Sequence, residues 1–194
     1  LALDVQGAMG DGDWLVIDGG NTHFWSEIAV NIAGFQGKKL GGILHPGTFS
    51  LLGVGVSFAV SAKNVDPNRN VVLISGDGAF LSGGLSIEAA FQENRPIVVV
   101  IDNNGGLDCI SQQQERLFAS GTHYATDFRD IPFHTMFEGL GGHGELVTRR
   151  EDIIPAVQRA MASGKTACVN VKVKGVISPI VLATTSKRDK ASIE

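Results

Sequence analysis

The sequence predicts a doubly wound, mostly parallel α/β sheet with helices on both faces. Three observations carry this expectation. Short, β-branched apolar runs alternate with longer amphipathic stretches, as strands buried on both faces and their covering helices do. Gly, Asn or Pro punctuates the runs. Glycine supplies 25 of 194 residues, well above the ordinary usage of about 7 %, so parts of the chain require bare backbone.

Taken in order, Leu1 opens in a helical run, and its abrupt start suggests a piece of a longer polypeptide. Trp14 to Ile17 reads as the first strand and Thr22 to Ala33 as the helix after it. Leu52 to Lys63 is the next helical stretch, followed by a strand at Val71 to Ile74, a helix at Gly84 to Glu93 and a strand at Ile97 to Ile101. Helices follow at Pro132 to Leu140 and Arg150 to Ala162. The latter begins with Glu151 and Asp152, which suit a helix N-terminus, and stops at Gly164. Ala167 to Val173 is the last apolar run. Residues 1–182 are expected to form one domain, and residues 183–194 a polar, mobile tail.

Composition narrows the function. Hydrophobic residues make up 43 % and charged residues 19 %, the balance of a chain with a buried core. The net charge of −4 comes without a basic cluster before the tail, so no nucleic-acid partner is expected. No apolar stretch approaches the roughly 18 residues of a membrane span, so no membrane partner is expected either. Cys109 and Cys168, the two cysteines, form neither a disulfide framework nor a zinc ligand set and read as free thiols, with a cytoplasmic location the expectation.

The strongest signal runs from Val71 to Leu107: an apolar strand, Gly76-Asp77-Gly78-Ala79-Phe80, a helix, a second apolar strand, then Asp102-Asn103-Asn104-Gly105-Gly106. This is a βαβ unit, which places both polar clusters at the carboxyl ends of adjacent strands, where open parallel sheets bind ligands. Asp77, Asn104 and a glycine-relieved carbonyl are hard oxygen donors, suited to Mg²⁺ that completes its shell with phosphate oxygens and water. Gly76 and Gly78 allow close backbone approach, and the N–H groups of Gly78 and Ala79 can meet phosphate oxygens. Gly164-Lys165-Thr166 ends like a Walker loop but precedes a strand, and Arg159 stands where the first glycine belongs. Gly53-Val54-Gly55 and Gly76-Asp77-Gly78 start a dinucleotide fingerprint, yet Phe58 and Leu81 occupy the third glycine position.

Gly76-Asp77-Gly78 followed by Asn103-Asn104 resembles the signature of thiamine diphosphate (ThDP) enzymes, specifically the acetolactate synthase, pyruvate oxidase and benzaldehyde lyase group. Asp18-Gly19-Gly20-Asn21-Thr22 before Trp25 resembles the segment that wraps the diphosphate there. Gly47 to Gly53 resembles the turn that buttresses the aminopyrimidine. The similarity runs from Leu1 to about Leu182 and corresponds to the carboxyl-terminal cofactor domain of a three-domain subunit.

The resemblance implies that Asp77 and Asn104 bind Mg²⁺ by side chain and Gly106 by its carbonyl. It places Gly19, Gly20, Asn21, Thr22, Gly76, Gly78 and Ala79 around the diphosphate, and Ser50 and Leu52 at the pyrimidine, with Leu52 beneath the bend between the two rings. Many relatives carry glycine where Ser50 stands and methionine where Leu52 stands. Gly105-Gly106-Leu107-Asp108-Cys109 also departs from acetolactate synthase wording in a stretch that shapes the substrate pocket. The implied activity is decarboxylation or carboligation of a 2-keto acid. The alternatives are a 2-hydroxyacyl-CoA lyase, an oxalyl-CoA decarboxylase, a benzaldehyde lyase type enzyme, or a non-catalytic α/β fragment that binds a phosphate-bearing ligand. FAD on an absent domain stays open.

In the family the glutamate that activates the cofactor comes from the pyrimidine-binding domain of a neighbouring subunit, and no residue here matches it. The chain is therefore expected to be inactive alone, to pair with a pyrimidine-binding domain of the same or a neighbouring chain, and to work as a homodimer or homotetramer on a small 2-keto acid or acyl-CoA. The remaining polar residues read more plainly. Glu27 and Glu88 are solvated or packing residues on helices. His23, His45, His123, His134 and His143 lack the spacing of a metal site, though His23 and His45 neighbour the cofactor segments. Cys109, which follows the metal loop, reads as a buried structural thiol or else as part of the pocket lining, and Gly139, Gly141, Gly142 and Gly144 as a loop between helix and strand.

Overall fold

A computed structural model describes residues 1–118 and 120–186. Its centre is a six-stranded, all-parallel sheet in the order β2-β1-β3-β4-β6-β5, built from β1 (Trp14–Asp18), β2 (Gly42–Leu44), β3 (Val71–Gly76), β4 (Val98–Asn103), β5 (His143–Val147) and β6 (Ala167–Lys172). The strands that the apolar runs predict are its four inner members. β3 is buried at every position and β4 nearly so, which is why both read as continuous hydrophobic runs.

Helices cover both faces. Against one pack α1 (Ala2–Ala8), α2 (Asn21–Phe35) and α8 (Ile153–Ala162), with Val5, Val157 and Ala160 meeting Leu15, Ile17, Ile74 and Val100. Against the other pack α3 (Gly55–Val65), α4 (Asp77–Gly83), α5 (Glu88–Gln92) and α7 (Phe133–Gly139). There Val56, Phe80, Phe133 and Phe137 close over Val16, Leu73, Val99 and Ile101. Alternate residues of each central strand thus serve opposite cores, as the period of two requires.

The two edge strands have no counterpart among the apolar runs. β2 is three residues long and only partly buried; Gly42 is obligatory because a Cβ there would lie 2.3 Å from the Trp14 ring. β5 is polar, and Gly144, expected in a loop, lies inside it. A Cβ on Gly144 would fall 2.4 Å from the His134 carbonyl oxygen, so glycine here serves the close approach of α7. The helix expected over Gly84 to Glu93 is a 3₁₀ turn, Gly84–Ile87, followed by α5. Leu52, expected to start a helix, lies in the turn before α3.

Two further helices complete the described residues: α6 (Asp108–Leu117), whose polar run Ser111-Gln112-Gln113-Gln114 gives no apolar signal, and α9 (Pro179–Ser186). Arg116 Nε on α6 donates to Thr185 Oγ1 on α9 at 2.6 Å. The expected boundary after residue 182 falls within α9, and the rest of the expected tail, 187–194, lies outside the described residues.

From β1 the chain crosses to β2 on one side, whereas β3 pairs on the other side of β1. This reversal is the topological switch point, and the crevice outside the carboxyl ends of such strands is where ligands bind.

Candidate cofactor and metal site

At the switch point the carboxyl ends of β1, β3 and β4 end in Asp18-Gly19-Gly20, Gly76-Asp77-Gly78 and Asn103-Asn104-Gly105-Gly106. A cavity of about 270 Å³ opens between them. All the site residues expected from the sequence line it: Gly19, Gly20, Asn21 and Thr22 from the β1 turn; Ser50 and Leu52 from the turn after β2; Gly76, Asp77, Gly78 and Ala79 from the β3 turn; and Asn104 and Gly106 after β4. The structure also places His23, Phe24, Leu107, Asp108, Cys109 and Ile110 on its wall. Of these, Leu107 to Ile110 belong to α6 and its approach, a helix that sequence periodicity does not reveal.

Asp77 is 3 % exposed at the start of α4. Its Oδ1 accepts the N–H of Gly78 at 2.7 Å, and its Oδ2 those of Gly105 at 2.8 Å and Gly106 at 3.1 Å. The Gly106 N–H also reaches Asn104 Oδ1 at 3.1 Å. One backbone donor therefore touches both side chains, and the carboxylate and the amide converge instead of pointing apart. Burial pushes the Asp77 carboxyl up to about 6, against the pull of the Gly105, Gly78 and Gly106 N–H groups; the nearby Asp102 adds to the rise.

The loop that carries Gly106 is held by a second strand-like segment. Leu107 N–H donates to the Thr126 carbonyl at 2.8 Å, Phe128 N–H to the Gly105 carbonyl at 2.7 Å, and Gly106 bridges to Asp127. A Cβ on Gly106 would lie 2.6 Å from the Thr126 oxygen, and one on Gly78 2.5 Å from Leu107 Cδ2. Both glycines are required by close approach, not by an unusual φ.

The β1 turn is fixed by its own buried groups. Gly19 has φ +133°, and a Cβ there would crowd Thr22 and the Gly76 nitrogen at 3.1 and 3.2 Å. Thr22 Oγ1 donates to Asp102 Oδ2 at 2.8 Å, and burial raises the Asp102 carboxyl despite that bond. Asn21 Nδ2 donates to Gln112 Oε1 at 2.8 Å, while its buried Oδ1 has no hydrogen-bond partner among the described residues. Asp18 turns away from the cavity to accept the Gly53 and Gly55 N–H groups at 3.0 and 2.7 Å. It thereby staples the Ser50–Leu52 turn to the sheet, and burial raises its carboxyl as well. Ser50 sits in the left-handed region, φ 48°, which explains the glycine preference at such a position.

The donor chemistry fits a hard divalent cation bearing an anionic ligand. Asp77 and Asn104 offer two side-chain oxygens, and glycine at position 106 leaves the backbone bare for a third. No Lys or Arg lines the cavity among the described residues, so an anion here meets backbone N–H groups and requires a cation to balance it.

The histidines lack metal-site spacing in the sequence, but two of them share a neighbour in the fold. The fold brings His23 and His45 to one Glu27 oxygen, at 2.8 and 3.8 Å. Glu27 follows His23 by one helical turn, a spacing present in the sequence, but His45 arrives only through the β1–α2–β2 crossover.

A parallel α/β domain with an oxygen-donor pair and glycine-stripped turns at its switch point is a phosphate- and cation-binding fold in outline. Sequence comparison makes the class definite. The family profile described as thiamine pyrophosphate enzyme, C-terminal TPP binding domain, matches residues 18–171. The acetolactate synthase large subunit of Mycobacterium tuberculosis is 39 % identical over 129 residues, covering 66 % of this chain and 23 % of the relative. The 2-hydroxyacyl-CoA lyase 2 of Danio rerio is 31 % identical over 133 residues, covering 66 % and 21 %. A thiamine diphosphate-dependent 4-hydroxybenzoylformate decarboxylase from Rhodococcus jostii superposes with a TM-score of 0.75 at 26 % identity, covering 90 % of this chain and 32 % of that one. The chain belongs to the ThDP enzymes and is their C-terminal TPP-binding domain. It spans about a quarter of the length of the curated relatives it matches.

Proposed function

We propose that this domain holds the diphosphate and Mg²⁺ half of ThDP in an enzyme that decarboxylates or ligates a 2-keto acid, in the manner of acetolactate synthase. The observation that carries the reading is the convergence of Asp77 and Asn104 on the Gly106 N–H, in a cavity without cationic side chains. Asp77, Asn104 and the Gly106 carbonyl would hold the cation. Gly19, Gly20, Asn21, Thr22, Gly76, Gly78 and Ala79 would surround the diphosphate, with Ser50 and Leu52 beside the pyrimidine. When bound, ThDP supplies the nucleophilic carbon and the electron sink for breaking or making a bond next to a carbonyl.

The chain's own contribution is positioning and charge balance. At the start of α4 the Gly78 N–H goes to Asp77 Oδ1, and the Ala79 N–H would be left for phosphate oxygens without a lysine. Thr22, anchored on Asp102, and Asp18, anchored on Gly53 and Gly55, hold the turns at fixed separation. Asp77 must be ionised to ligate a cation. Activation of the cofactor is assigned to a glutamate of a pyrimidine-binding domain in the same or a neighbouring chain, so this chain alone would not turn over. The intact enzyme would then be a homodimer or homotetramer.

Calorimetric titration of the chain with ThDP tests the reading. Binding should require Mg²⁺ and weaken by about 100-fold or more in Asp77→Ala; Mg²⁺-independent binding, or parent-like affinity after the substitution, would refute it. The lyase relatives favour an acyl-CoA substrate as the second reading. Joining the domain to its pyrimidine-binding partner and assaying pyruvate against 2-hydroxyacyl-CoA separates the two.

A further inference from the structure

Beside the cofactor cradle lies a cluster that the ThDP reading leaves unused. His23, 4 % exposed on the first turn of α2, places Nε2 2.8 Å from Glu27 Oε1. His45, just past β2, brings Nδ1 to 3.8 Å from the same oxygen. The two imidazoles meet edge to face with ring centres 5.2 Å apart. All three ligating atoms lie within 4.8 Å of one another.

Counting protons shows what the cluster lacks. The Gly47 N–H donates weakly to His45 Nδ1 at 3.3 Å, so a neutral His45 carries its proton on Nε2, and its one Nδ1 lone pair, engaged by that long contact, lies 3.8 Å from Glu27. The proton between His23 and Glu27 accounts for the 2.8 Å contact. Between His45 Nδ1 and the carboxylate, two acceptors face each other across 3.8 Å with no donor. Among the described residues neither Lys nor Arg pairs with Glu27; its ionic partners are the two imidazoles. A divalent cation at the centre would bond all three groups at once, taking the His45 Nδ1 lone pair from its long Gly47 contact and the place of the proton between His23 and Glu27.

Two imidazole nitrogens and one carboxylate oxygen are the ligands of open zinc sites, which keep a fourth position for water. At Zn–N and Zn–O distances of about 2.0–2.2 Å, tetrahedral ligand atoms sit roughly 3.3–3.6 Å apart. The spacings here, 2.8, 3.8 and at most 4.8 Å, bracket that value. Glu27 and His45 are 44 and 40 % exposed in their side chains and free to adjust, whereas buried His23 is the fixed ligand. Imidazole ligands also separate this cluster from the all-oxygen set at Asp77 and Asn104, because Mg²⁺ prefers oxygen.

We propose that His23, Glu27 and His45 form a second metal site, for a Zn²⁺-class divalent ion, on the wall of the cofactor cavity that His23 lines. Its three ligands are none of the residues assigned to ThDP or its cation. Titration of the full, tag-free chain with Co²⁺ as a visible surrogate should give a tetrahedral absorption band saturating at one equivalent. Zn²⁺ should displace it and excess Mg²⁺ should not. His45→Ala and Glu27→Gln should each weaken binding about 100-fold, while Asp77→Asn leaves it unchanged. Wild-type affinity in His45→Ala and Glu27→Gln, or no stoichiometric band in the parent chain, would overturn the proposal. Imidazole NMR tests the site without substitution: Zn²⁺ must shift His23 and His45 together, and shifts confined to other histidines refute it.

Discussion

Two carboxylates of the same sheet meet opposite electrostatic fates. Glu145, on edge strand β5, is gripped by Arg159 and His143, and these partners outweigh its burial and hold its carboxyl below the usual range. Among the described residues Asp77, just past the carboxyl end of central strand β3, has only backbone N–H partners, and burial lifts it to about 6. Glu145 is balanced within the chain and reads as structure. Asp77 is ionised at a cost that a bound cation would remove, as the proposed metal role requires of it and not of Glu145.

The contrast is tested most severely by truncating each carboxylate. Asp77→Ala should weaken Mg²⁺-dependent ThDP binding by about 100-fold or more, about 2.8 kcal/mol, whereas Glu145→Ala should leave the calorimetric isotherm unchanged. Equal effects would erase the distinction. Next in size, Gly106→Ala forces a methyl group to 2.6 Å from the Thr126 carbonyl oxygen. Overpacking of this kind costs about 1–3 kcal/mol, read as a lower urea midpoint, and should weaken ThDP binding too. Thr22→Val leaves the Asp102 carboxylate without its donor and should cost about 1–2 kcal/mol in the same measurement.

The two groups should also give opposite pH dependences of stability. Asp77 in the metal-free fold holds its proton more tightly than in the unfolded chain, where its value is 3.8. Its contribution is therefore present at low pH and lost as pH rises from there through about 6. Glu145 is lowered from 4.5, so its contribution is present above that value and lost as pH falls below it. Urea midpoints measured against pH should lose the first limb in Asp77→Asn and the second in Glu145→Gln. The smallest effect is expected from Arg159→Ala, which removes an exposed ion-pair partner; its melting temperature should barely move.

Much of this division is legible in the sequence. β1, β3, β4 and β6 announce themselves as apolar runs because both their faces are covered, and the turns that follow β1 and β3 carry their glycines in view. Asp77 and Asn104 can be paired because one βαβ crossover connects them. The edge strands give no such signal. β2 is too short for periodicity, and β5 holds His143, Gly144 and Glu145 where an inner strand has hydrocarbon. α6 is polar along most of its length and packs only Ser111 fully. His23 and His45 belong to different elements, and only the crossover through β2 makes them neighbours. Sequence periodicity reports burial, and a pairing made by tertiary topology leaves no mark in it.

If one cation bridges the ends of β3 and β4, its position can be read directly. Crystals of the chain grown with ThDP and Mn²⁺, which replaces Mg²⁺ in oxygen-rich sites, locate it through anomalous scattering. The expected peak lies within coordination distance of the Asp77 carboxylate, the Asn104 amide oxygen and the Gly106 carbonyl, with diphosphate oxygens completing the shell. Ordered ThDP with its Mn²⁺ peak away from Asp77 and Asn104 would contradict the bridge.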